Sequence, residues 1–168
     1  MLVGEAIRDF DRDKILISTK FSLVPGAQRP AGRPGGGGSF KNIMREVAQS
    51  LALLKTDYID FYFLHYPDPG TDIAETYSAL NVLKKRGLIR YIGVSNHSKE
   101  QIEAALEWAD IDVIQPPYSM VSRNEEDLMK WAKSKGIDSM TYGSLGSGLL
   151  TGAIREMPKF EPGDIRGG

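Results

Sequence analysis

The stretch FYFLHYPD, residues 61–68, runs four apolar or aromatic residues into a histidine and then meets a proline. The run is short and dense in aromatics, and Pro67 has no N–H to give a sheet, so it reads as a buried strand ending near His65. The chain has only two histidines. One of them therefore sits at the end of a buried strand, where a group that titrates near neutral pH is unusual.

The sequence on either side alternates strand and helix. KILISTKF (14–21) reads as a strand. KNIMREVAQSLALLK (41–55) reads as a helix with Ile43, Val47, Leu51 and Leu54 on one face. After the strand IDFYFLH, Asp72 with Glu75 predicts a capping box, and the helix it opens should end at Gly87 behind Lys84, Lys85 and Arg86. IRYIGVSN is the third strand. Ser98 with Gln101 predicts a second capping box, for a helix to about Ala109, and DVIQPPYSM is the fourth strand. Asn124 is the expected cap of a helix whose first turn carries Glu125, Glu126 and Asp127 and which stops at Gly136. IDSMTYGS is the fifth strand.

Strands separated by single helices predict a parallel sheet. It could be an open doubly wound sheet or a closed (β/α) barrel. Lys20, His65, Ser95 with Asn96, Gln115 and Tyr142 fall at the C-terminal ends of five different strands. A barrel gathers all such ends at one mouth, whereas an open sheet uses a single switch point. The expectation is an α/β fold, part of a (β/α)8 barrel with about five consecutive βα units. A full barrel takes about 250 residues, and this chain has 168. Both ends read as cut, with two strands expected before Met1 and one after Gly168.

Composition narrows the class. With 21 basic and 22 acidic side chains intermixed, nothing marks a nucleic-acid face. There is no cysteine, hence no disulfide framework, and no apolar run approaches the roughly 20 residues of a membrane span. The stretch MLVGEAIRDFDRDK reads as acidic-basic and amphipathic, which is not the pattern expected of a signal peptide. The expectation is one soluble, cytoplasmic domain over 1–168, with a Pro/Gly-rich loop at 29–40 and an irregular tail at 153–168. That loop could be a plain βα connection or a lid on the substrate side.

No GxGxxG follows a strand, and GVSNH (93–97) lacks the second glycine of a nucleophile elbow. Two histidines without cysteine make a poor metal site. Asp57, Asp60 and Asp68 flank a strand and read as turn and cap residues. Lys20 is either a snorkelling strand-end lysine or a desolvated one with a partner. His65 alone is as readily a core histidine as a catalytic one, but with Lys20 at the same mouth the two could position a proton donor. Gln115 needs partners for a buried amide, which a ligand carboxamide would supply. Tyr142 is a core aromatic or a stacking platform. TYGSLGSGLLTG offers glycines for close backbone approach to a phosphate, or a flexible loop. His97 reads as a surface or mouth residue with no visible partner.

Taken in order, STKF, DYIDFYFLHYPD, GVSNHS, QPPYS and YGSLGSGLLTG resemble the aldo/keto reductases over nearly the whole chain, from about Leu2 to Gly152. The resemblance implies a (β/α)8 barrel that binds NADPH, usually in preference to NADH, and passes hydride to an aldehyde or ketone at its C-terminal mouth. Lys20 and His65 match the family's catalytic lysine and histidine. Ser95, Asn96 and Gln115 match the residues that hold the nicotinamide carboxamide, Tyr142 the aromatic that stacks on the ring, and Gly143, Ser144, Leu145 and Ser147 the loop along the cofactor. Gly143 stands where many relatives have serine.

The resemblance also implies two departures. The family's proton-donor tyrosine and its aspartate precede the matching segment; Tyr58, Tyr62, Tyr66 and Tyr91 do not stand in that motif. The cluster that grips the adenosine 2′-phosphate follows it. The chain alone is therefore expected to be impaired as a reductase of a small-molecule carbonyl. The alternative is a non-catalytic nucleotide-binding or self-associating module that pairs through exposed barrel edges. A hydrolase or lyase on the same barrel is the weakest reading, since neither a metal set nor a nucleophile elbow is present.

Overall fold

The computed structural model describes residues 2–22, 37–156 and 159. A short helix α1 (Leu2–Ala6) leads through two 3₁₀ turns into β1 (Ser18–Phe21), α2 (Phe40–Leu54), β2 (Ile59–Leu64), α3 (Ile73–Lys85), β3 (Ile89–Ser95), α4 (Lys99–Leu106), β4 (Val113–Gln115), α5 (Glu126–Ser134) and β5 (Asp138–Ser139). The five strands form one sheet in the order β1-β2-β3-β4-β5, every pair parallel. Each crossover thus steps to the next strand in the same direction. A doubly wound sheet would reverse that order at a switch point. The sheet is an unclosed arc of a barrel, as the strand-end residues imply.

Its two faces bury different groups. Phe21, Tyr62, Leu64, Ile92, Val94 and Ile114 point to the helices and join Ile43, Val47, Leu80 and Leu83 in one core. The Phe21 and Tyr62 rings stack there at 4.8 Å. On the other face Lys20 lies beside Phe63, and Phe63 beside Gly93. Gly93 is required at this position: a Cβ there would lie 2.4 Å from the Phe63 ring. Lower on this face Phe61 stacks on Tyr91 at 5.1 Å, and Tyr91 is 42% exposed.

Several elements depart from the sequence expectation. The first strand begins at Ser18, not residue 14, because Arg12–Lys14 turn as a 3₁₀ helix and Arg12 Nη1 donates to the carbonyl of Ile15. The Asp72 carboxylate accepts from Ala74 N, but Glu75 does not close a box. It accepts instead from Phe40 N at 2.8 Å and so caps the start of α2. The Ser98–Gln101 box forms in full. Asn124 is not the cap of α5; that position belongs to Glu125, whose side chain makes no cap bond. The fourth strand stops at Gln115 because Pro116 and Pro117 have no N–H for a ladder. The fifth is only two residues long, followed by a separate bridge between Pro117 and Tyr142.

Asp60 is neither a turn nor a cap residue. It is fully buried within β2 and accepts from Arg12 Nη2 at 2.7 Å, Ile17 N at 2.9 Å and Arg90 Nη1 at 3.2 Å. Asp68 is a turn residue, accepting from Gly70 N and Thr71 Oγ1. The loop expected at 29–40 lies outside the described residues except for 37–40, which turn into α2, and most of the tail after residue 156 lies outside them too.

Candidate active site

The ends of β2, β3 and β4 are tied by side-chain hydrogen bonds. Ser95 closes β3, and the chain then takes a left-handed residue, Asn96, with φ 59°. Asparagine tolerates that conformation better than most residues. The turn aims the Asn96 amide back at β2, where Nδ2 donates to the His65 carbonyl at 2.9 Å and to Ser95 Oγ at 3.2 Å. Ser95 Oγ donates to the Gln115 carbonyl at 2.9 Å. Tyr142, beyond β5, donates its hydroxyl to Asn96 Oδ1 at 2.8 Å. His65, Ser95 and Tyr142 converge on one asparagine, and Ser95 links it to Gln115.

His65 follows Leu64 directly, and its backbone N–H donates to Phe21 O. Its ring stacks on Tyr66 at 4.5 Å. Burial, and then the Lys20 charge, hold its pKa below the usual histidine value, so the ring is neutral at pH 7. Nδ1 is buried with no hydrogen-bond partner. A proton there would leave an orphaned buried donor, which folded proteins rarely tolerate. The proton therefore belongs on Nε2, making that nitrogen the ring's donor. Lys20 stands on the neighbouring strand, with Nζ 5.6 Å from the Phe63 ring. Burial raises the Tyr142 phenol above its usual pKa, which keeps it a donor to Asn96.

The structure thus brings together Lys20, His65, Ser95, Asn96, Gln115 and Tyr142. Gly143, Ser144, Leu145 and Ser147 lie on an exposed loop whose backbone bonds stay within it, from Gly146 N to Gly143 O and from Gly148 N to Leu145 O. A cavity of about 680 Å³ opens beside the network, lined by Asn96, Gln115, Leu128 and Trp131. It lies toward α4 and α5 and does not include Lys20 or His65.

His97 is not a surface residue. It is 8% exposed, and its Nδ1 lies 2.8 Å from the Ser95 carbonyl. A carbonyl can only accept, so Nδ1 carries the proton. Burial lowers its pKa to about 4. The side chain clamps the backbone one residue before the left-handed turn. Nothing in the sequence signals this, because the helix start that follows reads as exposed.

Comparison with known proteins follows this geometry. A family model described as "Aldo/keto reductase family" matches residues 1–166. The aldo-keto reductase YhdN of Bacillus subtilis (strain 168) is 41% identical over 170 residues, covering 98% of this chain and 49% of the relative. An NADH-specific methylglyoxal reductase of Escherichia coli (strain K12) is 35% identical over 176 residues, covering 99% and 53%. The glycerol dehydrogenase AKR11B4 from Gluconobacter oxydans superposes with a TM-score of 0.83 at 32% identity, covering 99% of this chain and 51% of that one. An aldo-keto reductase from Klebsiella pneumoniae, solved in complex with NADPH, gives 0.73 at 30% identity, covering 92% and 50%. The chain spans about half the length of these relatives.

Proposed function

Because the chain belongs to the aldo/keto reductase family, we propose that its strand-end network is one half of a site that reduces an aldehyde or ketone to an alcohol with NADPH. The observation that carries this reading is the pairing of a neutral His65, with its donor at Nε2, and a polar cluster of Ser95, Asn96 and Gln115 on the next two strands. These residues fit a nicotinamide end. Ser95, Asn96 and Gln115 present amide and hydroxyl groups suited to a carboxamide, and the Tyr142 ring is exposed beside them. Gly143, Ser144, Leu145 and Ser147 would follow the cofactor outward. Bound there, NADPH would supply the hydride.

His65 Nε2 would donate to the carbonyl oxygen of the substrate and orient it. Lys20 supplies a fixed cation next to that ring, which helps keep His65 neutral and would lower the pKa of a phenolic proton donor. The matching tyrosine is not among residues 1–168. A general acid is typically worth about 10² to 10⁴ in rate, so the chain by itself should bind cofactor yet turn over slowly.

Fluorescence titration and thermal unfolding with NADPH, and with NADH for comparison, test the binding half. NADPH at about 100 times its dissociation constant should add about 2.7 kcal/mol. No shift with either nucleotide sinks the cofactor assignment. Turnover of 4-nitrobenzaldehyde at the roughly 10 s⁻¹ of ordinary enzymes sinks the impairment.

A second reading rests on the sheet edges. Among the described strands β1 pairs only with β2 and β5 only with β4, and the Phe61–Tyr91 stack is partly open on the unfilled face. Such edges and aromatics favour self-association. Light scattering after size exclusion would show mass rising with concentration; a monomer at high concentration removes this reading. No helix among the described residues is long and apolar enough to cross a membrane, and a chain without cysteine suits the cytoplasm, where we place it.

A further inference from the structure

A cavity of about 650 Å³ opens between the turn after β2, the start of α3 and the Glu100, Gln101 and Ala104 side of α4. It does not involve Lys20, His65, Asn96, Gln115 or Tyr142. Its size falls within the roughly 300–1,000 Å³ usual for small-ligand sites. Leu64, Pro67 and Ile73 give its wall apolar surface, Thr71, Thr76 and Gln101 add polar groups, and two further side chains line it, Tyr77 and His97. Both are more than nine-tenths buried, at 2% and 8% exposed. Burial alone raises the Tyr77 pKa, with no hydrogen bond or charge contributing. His97 uses its Nδ1–H on the Ser95 carbonyl, which leaves Nε2 as a bare lone pair. The lining of this space thus includes one hydroxyl and one ring nitrogen for which no hydrogen bond to the protein accounts, the nitrogen on a histidine that also borders the 680 Å³ cavity.

The rim narrows the chemistry. Glu100 and Asp68 stand on it. The Glu100 carboxyl is held below its usual pKa by hydrogen bonds from its own backbone and from Ser98 Oγ, so it is ionised. An anionic ligand would approach against that charge. A neutral hydroxyl offers a donor for His97 Nε2 and an acceptor for Tyr77.

We infer that this cavity is a binding site for a small neutral aromatic alcohol, ring inward, with its hydroxyl meeting Tyr77 and His97. The site is separate from the strand-end network and does not depend on carbonyl reduction. It adjoins that network through His97, which holds the carbonyl before Asn96, and through Tyr66, whose ring stacks on His65.

The test is a nuclear magnetic resonance titration of the full 168-residue chain with 4-propylphenol and with 4-propylbenzoate. The phenol should bind saturably with a dissociation constant of about 1 mM or tighter, and shift amides near Tyr77 and Ala104. The benzoate should bind at least about tenfold more weakly. Ala104 lines the cavity from an exposed position on α4, so Ala104→Trp should fill it without disturbing the fold and abolish the phenol shifts. Tyr77→Phe keeps the shape, removes the hydroxyl and should weaken binding about fivefold. It decides the matter if the tryptophan variant does not fold. Absence of saturable binding, equal binding of benzoate, or binding unaltered in Tyr77→Phe would each overturn the assignment.

Discussion

At the end of the sheet where the strands begin, the buried carboxylate is matched. The buried Asp60 takes Arg12, Arg90 and the Ile17 amide, and the two guanidinium groups lie over the Tyr58 ring at 3.8 and 4.0 Å. Nearby, Asp112 binds Lys84 and the Ile92 amide, both at 2.8 Å. At the end where the strands finish, polar groups are left over. His65 Nδ1 has no partner, and Asn96 is shared among three elements. One end has used its polar groups to fix the strands. The other holds some in reserve, which is what a site needs and what a purely structural end avoids.

The sharpest way to break this comparison is at the matched end. Asp60→Ala strands two guanidinium groups and an amide. Removing one partner of a buried ion pair typically costs 3–5 kcal/mol. Arg12 and Arg90 keep some solvent, at 21% and 42% side-chain exposure, so the expected loss is at the lower bound, about 3 kcal/mol. Urea unfolding measures it. A loss below about 1 kcal/mol would mean that the base does not hold the sheet together.

Acid should act on the other end by a comparable amount. The folded pKa of His97 is about 4, below the ordinary 6.5. Between those values the unfolded chain binds the extra proton, so stability falls as pH drops from about 6.5 toward 4. The shift amounts to about 3 kcal/mol at the bottom of that window. His65, also lowered, adds a loss of the same sign. Glu100, which lines the same cavity as His97, has its pKa lowered by hydrogen bonds, so its protonation adds a loss of the same sign as pH falls. In His97→Phe the gap between urea stabilities at pH 7 and pH 4.5 should narrow; an unchanged gap would place the acid sensitivity elsewhere.

Between the two ends, Gly93 sets how closely the strands carry their aromatics. A Cβ there meets the Phe63 ring at 2.4 Å, and Phe63 is fully buried. Overpacking of this kind costs about 1–3 kcal/mol. Gly93→Ala should lower the urea midpoint accordingly, and because Phe63 sits beneath Lys20 it should also weaken NADPH binding. Full stability in this variant would show that the ring has room to move.

The sequence carried the mouth better than the base. Lys20, His65, Ser95, Asn96 and Gln115 follow apolar runs, so their places at strand ends could be read from pattern alone, whereas Tyr142 lies beyond the short β5, in an isolated bridge with Pro117. Asp60 could not be read from pattern. In IDFYFLH it looks like an edge residue, because its partners Arg12 and Arg90 lie 48 and 30 positions away and no local periodicity reports them. Glu75 illustrates the same limit: its spacing from Asp72 fits a box, yet the amide it caps belongs to another helix. His97 reads as exposed because a helix start normally is, yet the fold buries it with Nδ1 on the Ser95 carbonyl. The length of a strand next to prolines, as at Gln115, was likewise set by missing donors more than by β propensity.

The smallest effect expected is also the one that tests what the reserved groups are for. The Tyr142 hydroxyl occupies Asn96 Oδ1 at 2.8 Å, the atom that a carboxamide N–H would need. Cofactor binding at this site must then either break that bond or share the oxygen. Tyr142 is 42% exposed, so the bond is partly solvated and worth at most about 1 kcal/mol. Tyr142→Phe retains the ring for stacking and frees the acceptor. If the tyrosine competes with the ligand, the phenylalanine variant should bind NADPH up to about fivefold more tightly, while Tyr142→Ala should bind more weakly for want of the ring. Equal affinity of Tyr142→Phe and the parent chain would mean the oxygen is shared, and weaker binding would mean the hydroxyl itself touches the cofactor. Tighter binding would show that the unmatched end is held closed by one of its own residues until a ligand replaces it.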